Sequence, residues 1–471
     1  MYQDASDCKG NDLGDVLVLG AGRTGLVVAD YLADMMPSRV SSVTLVGGLK
    51  SYATDATRAL EDKCVRVLLA SESIEGSYDL AIASPGIPEH SAFMEGARAH
   101  AREVIAEPEF AWRESPDRWL AITGTNGKTT TTKLTVALLE AGGLDAKAVG
   151  NVGTVSCGEV ARRGDAEWFV AELSSFQLAL ADEFHPRVAA LLNITPDHLE
   201  WHGSMEAYAE AKAKVFSRLE GKDLAVVVDA DDYCRTIADE IESRQVRVCH
   251  VALEEPRDAA CAAFVRKGRL VVRLDNVETE LCGVDDLGIK GPHNVLNALV
   301  AAAMALEVGV EAASVIEGLE AFAPLEHRIE PCGQVAGVAY VNDSKATNVD
   351  AVAKALSAFE RGRVIVLLGG HDKGTELDEL TEAVVSFCKV AVCYGEAGER
   401  IACALEDAES SLAVVRAPHM AEALDVARTH AVSGDTVLLS PACSSFDEFK
   451  SYTERGRVFK ELVAHLIEDA S

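Results

Sequence analysis

Residues Ala121-Ile-Thr-Gly-Thr-Asn-Gly-Lys-Thr-Thr130 decide the reading of this chain. The apolar run from Trp119 to Ile122 predicts a buried strand, and Leu134-Thr-Val-Ala-Leu-Leu139 predicts a helix. Gly124 and Gly127 turn the chain between them. Such a junction aligns backbone N–H groups at a helix N-terminus, where they hold phosphate. Lys128 adds a point charge for the outer phosphates, and Thr129 a hydroxyl for the metal that accompanies them. An ordinary helix start, with threonines capping backbone donors, is the competing reading. Gly-Lys-Thr at a strand-to-helix junction favours phosphate. The loop departs from the pattern G-x-x-x-x-G-K-[ST] in one place: Ile122 stands where the first glycine belongs.

Outward from this loop, length and composition set bounds. A chain of 471 residues predicts about three domains. Hydrophobic residues make up 48%, enough for several cores, yet no apolar stretch reaches the length of a membrane span. Met1-Tyr-Gln-Asp-Ala-Ser-Asp7 lacks the basic and apolar regions of a signal peptide. The twelve cysteines form no C-x-x-C pair, and several lie in apolar runs such as Val384–Cys393, as expected for reduced thiols. The net charge of −31 argues against a nucleic-acid partner and leaves phosphate binding to local groups. A cytoplasmic monomer without membrane insertion is expected.

Three segments follow: residues 1–107, 108–323 and 324–471. In the first, the strand Asp15–Gly20 runs into Gly20-Ala-Gly-Arg-Thr-Gly25 and a helix from Leu26. Further strands are expected at Val43–Val46, Val65–Leu69 and Leu80–Ala83, the last ending in the turn Ser84-Pro-Gly-Ile87. Alternating strands and helices predict a parallel, doubly wound sheet. A dinucleotide site would place an acidic residue after the second strand to hold the ribose, but Gly47-Gly48 stands there, which disfavours NAD. The glycine turn could serve another nucleotide's diphosphate, or only a tight strand–helix packing.

In the middle segment, Trp168–Gln177 is expected to be a strand delivering Glu172, Ser174 and Gln177 at its carboxyl end. Val188–Ile194 is another, followed by Thr195-Pro-Asp-His198. Open α/β sheets bind ligands at those ends. Glu172 suits a magnesium ion beside phosphates; His198 is softer than magnesium prefers, and a satisfied polar histidine stays open. Ser204–Phe216 predicts a helix with Ser204 as N-cap. Its 3.6-residue period puts Met205, Tyr208, Lys212 and Val215 on one face and Lys214 on the other. Lys212 is then either a snorkelling stem or a lysine with chemistry to do. In the last segment three strands, Val338–Lys345, Val364–Gly370 and Thr436–Cys443, lead to polar turns. They would present Lys345, Thr347, Lys373 and Ser445 at one sheet edge, a set suited to a small carboxylate.

These strings carry a resemblance along nearly the whole chain. Gly124-Thr-Asn-Gly-Lys-Thr129, with its missing first glycine, is similar to the phosphate loop of the Mur ligases of peptidoglycan synthesis. Glu172-Leu-Ser-Ser-Phe-Gln177, Asn342-Asp-Ser-Lys-Ala-Thr-Asn348 and Ser440-Pro-Ala-Cys-Ser-Ser-Phe-Asp-Glu-Phe449 most resemble that family's D-glutamate-adding branch. The Asp-Asn-Pro-Arg string of the diaminopimelate-adding branch is absent. A folylpolyglutamate synthase would lack the N-terminal segment. Addition of another amino acid, an NAD oxidoreductase and a non-catalytic nucleotide-binding partner are the alternatives.

The resemblance implies a Rossmann-like UDP domain, a central ATPase domain and a C-terminal α/β domain that closes over the site. It implies ATP-driven ligation through an acyl phosphate, with magnesium and a carbamylated Lys212. By that resemblance Gly124, Thr125, Asn126, Gly127, Lys128, Thr129 and Thr130 hold ATP. Asn297, Arg328, Asp343 and Lys345 complete the ATP contacts. Thr129, Glu172, His198 and Lys212 organise the metal, with Lys128, His198 and Lys212 as the catalytic set. Gly22, Arg23, Thr24, Ser84 and Gly86 match uridine and diphosphate loops, while Asn151, Ser174, Gln177 and His198 match contacts to the UDP-linked sugar. Thr347, Lys373, Ser445, Phe446 and Tyr452 match the D-glutamate pocket.

Overall fold

The computed structural model describes residues 13–257, 259–372, 374–408 and 411–469, with only the backbone of Glu200. The chain is α/β throughout. Lys373 lies outside the described residues.

The first sheet contains β1 (Gly14–Leu19), β2 (Val40–Val46), β3 (Arg66–Leu68), β4 (Leu80–Ala83) and β5 (Val104–Ala106). Its order is β3-β2-β1-β4-β5, with every pairing parallel. Strand succession reverses at β1 and β4. The crevice outside their carboxyl ends therefore holds the Gly20–Gly25 turn and Ser84. The helix after the turn begins at Arg23, three residues earlier than the sequence suggests, with Gly22 as N-cap.

The second sheet contains β6 (Trp119–Thr123), β7 (Ala146–Gly150), β8 (Trp168–Glu172), β9 (Val188–Leu191), β10 (Leu224–Val228), β11 (Arg247–Val251), β12 (Cys261–Arg266), β13 (Arg269–Leu274) and β14 (Val277–Gly283). The order is β14-β13-β12-β11-β10-β9-β6-β8-β7. Strands β6 to β12 are parallel, and β12 to β14 form an antiparallel meander. All five residues of β6 are buried, as its unbroken apolar run requires for a strand covered on both faces. Trp119 anchors it edge-on to Phe169 and Phe184, with ring centroids 5.1 and 5.8 Å away. Its indole N–H donates to the Ser115 carbonyl at 2.6 Å.

Two expectations are corrected here. The strand at Trp168 stops at Glu172, and Ser175–Ala179 is a helical turn with Ser174 as N-cap. The helix from Met205 is α-helical to Ala213 and finishes as a 3₁₀ turn, Lys214–Phe216.

The third sheet contains β15 (Glu330–Val335), β16 (Val338–Asn342), β17 (Val364–Gly369), β18 (Cys388–Tyr394), β19 (Ala413–Arg416) and β20 (Thr436–Ala442), ordered β15-β16-β20-β17-β18-β19. Only the edge strand β15 is antiparallel. The adjacent parallel strands β16, β20 and β17 thus end on the same edge.

The residues fall into two compact units. One holds the first two sheets, to Asp286, together with Leu296–Glu320; the other holds Leu287–Val295 and the chain from Ala321. In the first unit one apolar core runs from Val16, Val28 and Ile105 through Phe110 to Trp119, Phe169 and Leu191, so the two sheets share an interior. The third sheet has an apolar layer on each face. Every cysteine among the described residues is a free thiol. No helix among them is long and apolar enough to cross a membrane.

Candidate active site

The phosphate loop sits between β6 and the helix Lys128–Ala141. Gly124 has φ +148°, and a Cβ there would lie 2.9 Å from the Leu192 Cβ. Gly127 caps the helix in the left-handed conformation. A Cβ on it would lie 2.7 Å from Asn297 Oδ1. Both positions need glycine. Asn297 Oδ1 also accepts from the Thr131 hydroxyl at 3.1 Å, so this residue is built into the base of the loop.

The loop is strapped to the end of β9. Thr125 N–H donates to the Asn193 carbonyl at 2.9 Å, and Asn126 exchanges two hydrogen bonds with the Asn193 side chain, at 2.8 and 3.1 Å. The Thr125 hydroxyl accepts from Thr195 N–H at 3.0 Å and lies 3.0 Å from the Tyr208 hydroxyl. Neither Asn193 nor Tyr208 emerged as a binding residue from the sequence. Asn193 falls within the expected strand Val188–Ile194, but β9 ends at Leu191 and leaves it in the turn beyond.

Two lysines converge beneath the loop. Lys128 Nζ donates to the carbonyls of Gly124 and Thr125, both at 2.8 Å. Lys212 Nζ donates to the Gly124 carbonyl at 2.8 Å and lies 4.5 Å from the centre of the Tyr208 ring. Lys212 is only 1% exposed. Its inward stripe is present: Tyr208 and Val215 are buried beside it, while Lys214 is exposed and bonds the Ala179 carbonyl. Burial holds the Lys212 amine well below the usual lysine range, Lys128 pushes the same way, and the carboxylates of Asp197 and Glu172 partly oppose.

Glu172 ends β8, paired alongside β6, and is 2% exposed. Its Oε1 accepts from the Asn151 amide at 2.8 Å, but its buried Oε2 has no hydrogen-bond partner among the described residues. A buried carboxylate oxygen left this way carries a substantial desolvation penalty, which a bound cation relieves. His198 has φ +55°, a side chain 43% exposed and Nε2 3.6 Å from Asp197 Oδ2. Its ring lies 4.8 Å from Phe176, which also contacts Trp201 and His202. Ser174 and Gln177 form a reciprocal capping box: Gln177 N–H donates to the Ser174 hydroxyl at 3.3 Å, and Ser174 N–H to Gln177 Oε1 at 2.9 Å.

At the first sheet's crevice, Gly25 packs onto the preceding turn. A Cβ there would lie 1.8 Å from the Gly20 carbonyl oxygen. Gly22 faces open space, Gly86 is exposed, and Thr24 is partly buried one turn along. The Ser84 hydroxyl is buried against Gly20 without a hydrogen-bond partner among the described residues. Arg23 Nη1 approaches Gly153, two residues beyond Asn151.

In the second unit, the segments after β16 and β20 carry most of the remaining described site residues. Asp343 is buried, accepts from the Ser440 hydroxyl at 2.7 Å and from Ile329 N–H at 3.2 Å, and is pushed by burial up to about 7, with Arg328 pulling it back. Lys345 Nζ lies 4.3 Å from the centre of the Tyr452 ring. Thr347 is half-buried. The Ser445 hydroxyl is buried without a hydrogen-bond partner among the described residues, and its neighbour Phe446 is 70% exposed. Arg455 was not foreseen as part of this edge. It is fully buried there and donates to main-chain carbonyls after β16 and β20.

Known proteins are similar to this chain in sequence and in fold. Residues 122–305 match the Mur ligase middle domain, and residues 327–443 the Mur ligase glutamate ligase domain. A UDP-N-acetylmuramoylalanine--D-glutamate ligase of Koribacter versatilis is 38% identical over 457 residues, covering 96% of this chain and 98% of that protein. Its counterpart from Pelotomaculum thermopropionicum is 39% identical, covering 96% and 97%. The fold matches a pseudomurein peptide ligase type C from Methanothermus fervidus, with TM-score 0.59, 17% identity and coverage of 97% and 100%. It also matches the UDP-N-acetylmuramate-alanine ligase MurC from Thermotoga maritima, with TM-score 0.55, 18% identity and coverage of 96% and 99%. With near-full-length identity of this order added to the loop and its two lysines, the chain belongs to the Mur ligase family, within its UDP-N-acetylmuramoylalanine--D-glutamate ligases.

Proposed function

We propose that the protein joins D-glutamate to UDP-N-acetylmuramoyl-L-alanine at the expense of ATP, a step of peptidoglycan precursor synthesis. The observation that carries the reading is the phosphate loop with Lys128 and Lys212 beneath it and a buried Glu172 oxygen that has no hydrogen-bond partner among the described residues. Residues 1–107 serve the UDP moiety, 108–323 the ATP, and 324–471 the incoming amino acid. The reading needs neither nucleic acid nor membrane, and it places a monomer in the cytoplasm.

The reaction has two steps. The alanyl carboxylate attacks the γ-phosphorus in line, the bond to ADP breaks, and an acyl phosphate forms. The D-glutamate amine then attacks the acyl carbon, phosphate leaves, and the amine loses a proton. The N–H groups of Gly124–Thr130 and the Lys128 ammonium hold the transferring phosphoryl oxygens. To do so Lys128 exchanges the carbonyls of Gly124 and Thr125 for phosphate. Asn297, Arg328, Asp343 and Lys345 hold the rest of the nucleotide. Arg23, Thr24, Ser84 and Asn151 hold the UDP-linked substrate, aided by Ser174 and Gln177 once their capping box yields a donor. Thr347, Lys373, Ser445, Phe446 and Tyr452 hold D-glutamate.

Glu172 Oε2 is the oxygen that fits a hard cation. Magnesium held by Glu172, Thr129, His198 and carbamylated Lys212 would supply charge neutralisation between two anionic reactants. Lys212 is equipped for that modification. Burial depresses the basicity of its amine, and the neutral form is the one that adds carbon dioxide to give a carbamate and a proton. The product is an anionic oxygen ligand where an ammonium would repel the metal.

The deciding experiment is ATP-dependent phosphate release with UDP-N-acetylmuramoyl-L-alanine and a panel of amino acids. D-Glutamate should support turnover, and L-glutamate, L-alanine and diaminopimelate should give little. Equal turnover with diaminopimelate would move the chain to a sister ligase.

A further inference from the structure

We infer that Arg455 is the positioning residue that fixes the amino-acid loop against the phosphate-contacting loop; the inference rests on the function proposed above. Arg455 lies in the helix Tyr452–Asp469 and is 0% exposed. Burying a guanidinium is costly unless its donors are met. Here the donors go to loop atoms: Nε to the Ser344 hydroxyl at 3.0 Å, Nη2 to the Ser344 and Cys443 carbonyls at 2.9 and 3.0 Å, and Nη1 to the Ser444 carbonyl at 3.3 Å.

The location of those acceptors gives the arrangement its meaning. The pairing of β16 with β20 stops at Asn342 and Leu439, while β20 goes on pairing with β17 as far as Ala442, so no ladder pair between β16 and β20 sets the spacing of the Ser344 and Cys443 segments. Ser344 lies between Asp343 and Lys345, and Cys443 and Ser444 directly precede Ser445. One planar fork therefore links the carbonyls of both segments. It reaches a third segment as well. His371 N–H donates to the same Ser444 carbonyl at 2.9 Å, and a Cβ on Gly370 would come within 3.1 Å of Arg455 Nη1. The segments bearing the proposed contacts to phosphate and to the amino acid are thus referenced to a single side chain.

A lysine would keep the charge but lose the fork, whose planar geometry it cannot reproduce. In Arg455→Lys the D-glutamate KM should rise about tenfold or more, the effect of losing one or two hydrogen bonds. The KM for UDP-N-acetylmuramoyl-L-alanine, bound in the other unit, should stay within about twofold, well under the 1.4 kcal/mol that a tenfold change represents. Ser344→Ala removes one acceptor and should raise the D-glutamate KM in the same direction but less. A purely structural role would instead lower the folded fraction, and kcat with it, leaving each KM in place. Circular dichroism melting of each variant separates the two. If Arg455→Lys does not fold, Ser344→Ala decides. An unchanged D-glutamate KM in a folded variant overturns the inference while leaving the function standing. Wild-type protein that transfers no D-glutamate overturns both.

Discussion

The first unit contains two strand–glycine–helix junctions that share a backbone device and differ in charge. At β1, Gly20, Gly22 and Gly25 let the helix start close to the strand, and the polar groups at hand are the buried Ser84 hydroxyl and Arg23. At β6, Gly124 and Gly127 do the same, but two lysines and a buried carboxylate surround the loop. Glycines show where backbone approaches a ligand. The charges show what happens there. Under the proposed function the β1 turn would hold a diphosphate that does not react, and the β6 loop would stabilise a phosphoryl group in transfer.

The largest effect that could break this contrast concerns Lys212. Lys212→Ala should lower kcat roughly a hundredfold or more, as removal of a transition-state contact does. Formate or acetate in the buffer should restore part of it by supplying an oxygen ligand. Lys214→Ala should stay within a few-fold, because Lys214 points outward to the Ala179 carbonyl. Protein equilibrated with ¹³C-bicarbonate should show a carbamate resonance that Lys212→Ala lacks. A dead Lys214 variant, or no resonance in active wild type, would sink the carbamate and leave Lys212 as a plain hydrogen-bond donor.

The inward face of Lys212 was legible from helical period alone, because Tyr208 and Val215 fix the stripe. The phosphate loop was legible because it needs particular residue types in a row. Ser174 and Gln177 were misread as strand residues, although S-x-x-Q is the signature of a capping box and that is what they form. The meander β12–β14 was passed over, yet Lys267-Gly268 and Asp275-Asn276, all at positive φ, mark its turns. Arg455 offered no local signal. Its hydroxyl partner Ser344 lies 111 residues away, and an arginine in an amphipathic helix looks like any exposed one until the helix is docked.

Gly25 sharpens the comparison from the other junction. In Gly25→Ala the new methyl would meet the Gly20 carbonyl oxygen at 1.8 Å, so strand and helix must part. Overpacking of this kind costs about 1–3 kcal/mol. Gly22→Ala meets nothing within 4 Å, and its φ of −79° suits alanine. The Gly25 variant should lose melting temperature and bind UDP-N-acetylmuramoyl-L-alanine more weakly. The Gly22 variant should keep its melting temperature and lose substrate affinity alone. In both, the ATP KM should hold. A matching rise in ATP KM would mean that the two junctions are not separate sites.

The smallest expected effect tests the joint between the junctions. Glu107 directly follows β5 of the first sheet, and its buried carboxyl accepts the Cys157 N–H at 2.6 Å, in the helical turn Ser156–Val160 that follows β7 of the second. Burial pushes it up to about 7 from a usual value of 4.5. Between those values the folded protein keeps a proton that the unfolded chain releases, so stability falls as pH rises through the window. The full loss above the window is roughly 3 kcal/mol. Asp343 is raised for the same reason, but it is present in wild type and variant alike and cancels in their difference. The Cys157 thiol is driven further from neutrality and does not titrate in this range. Glu107→Gln keeps the acceptor and removes the titration. Its melting temperature relative to wild type should therefore climb between pH 5 and pH 8, by about 2–4 °C per kcal/mol. A gap that shrinks with pH would mean that Glu107 is held as a carboxylate, and that the joint between the sheets is charged rather than neutral.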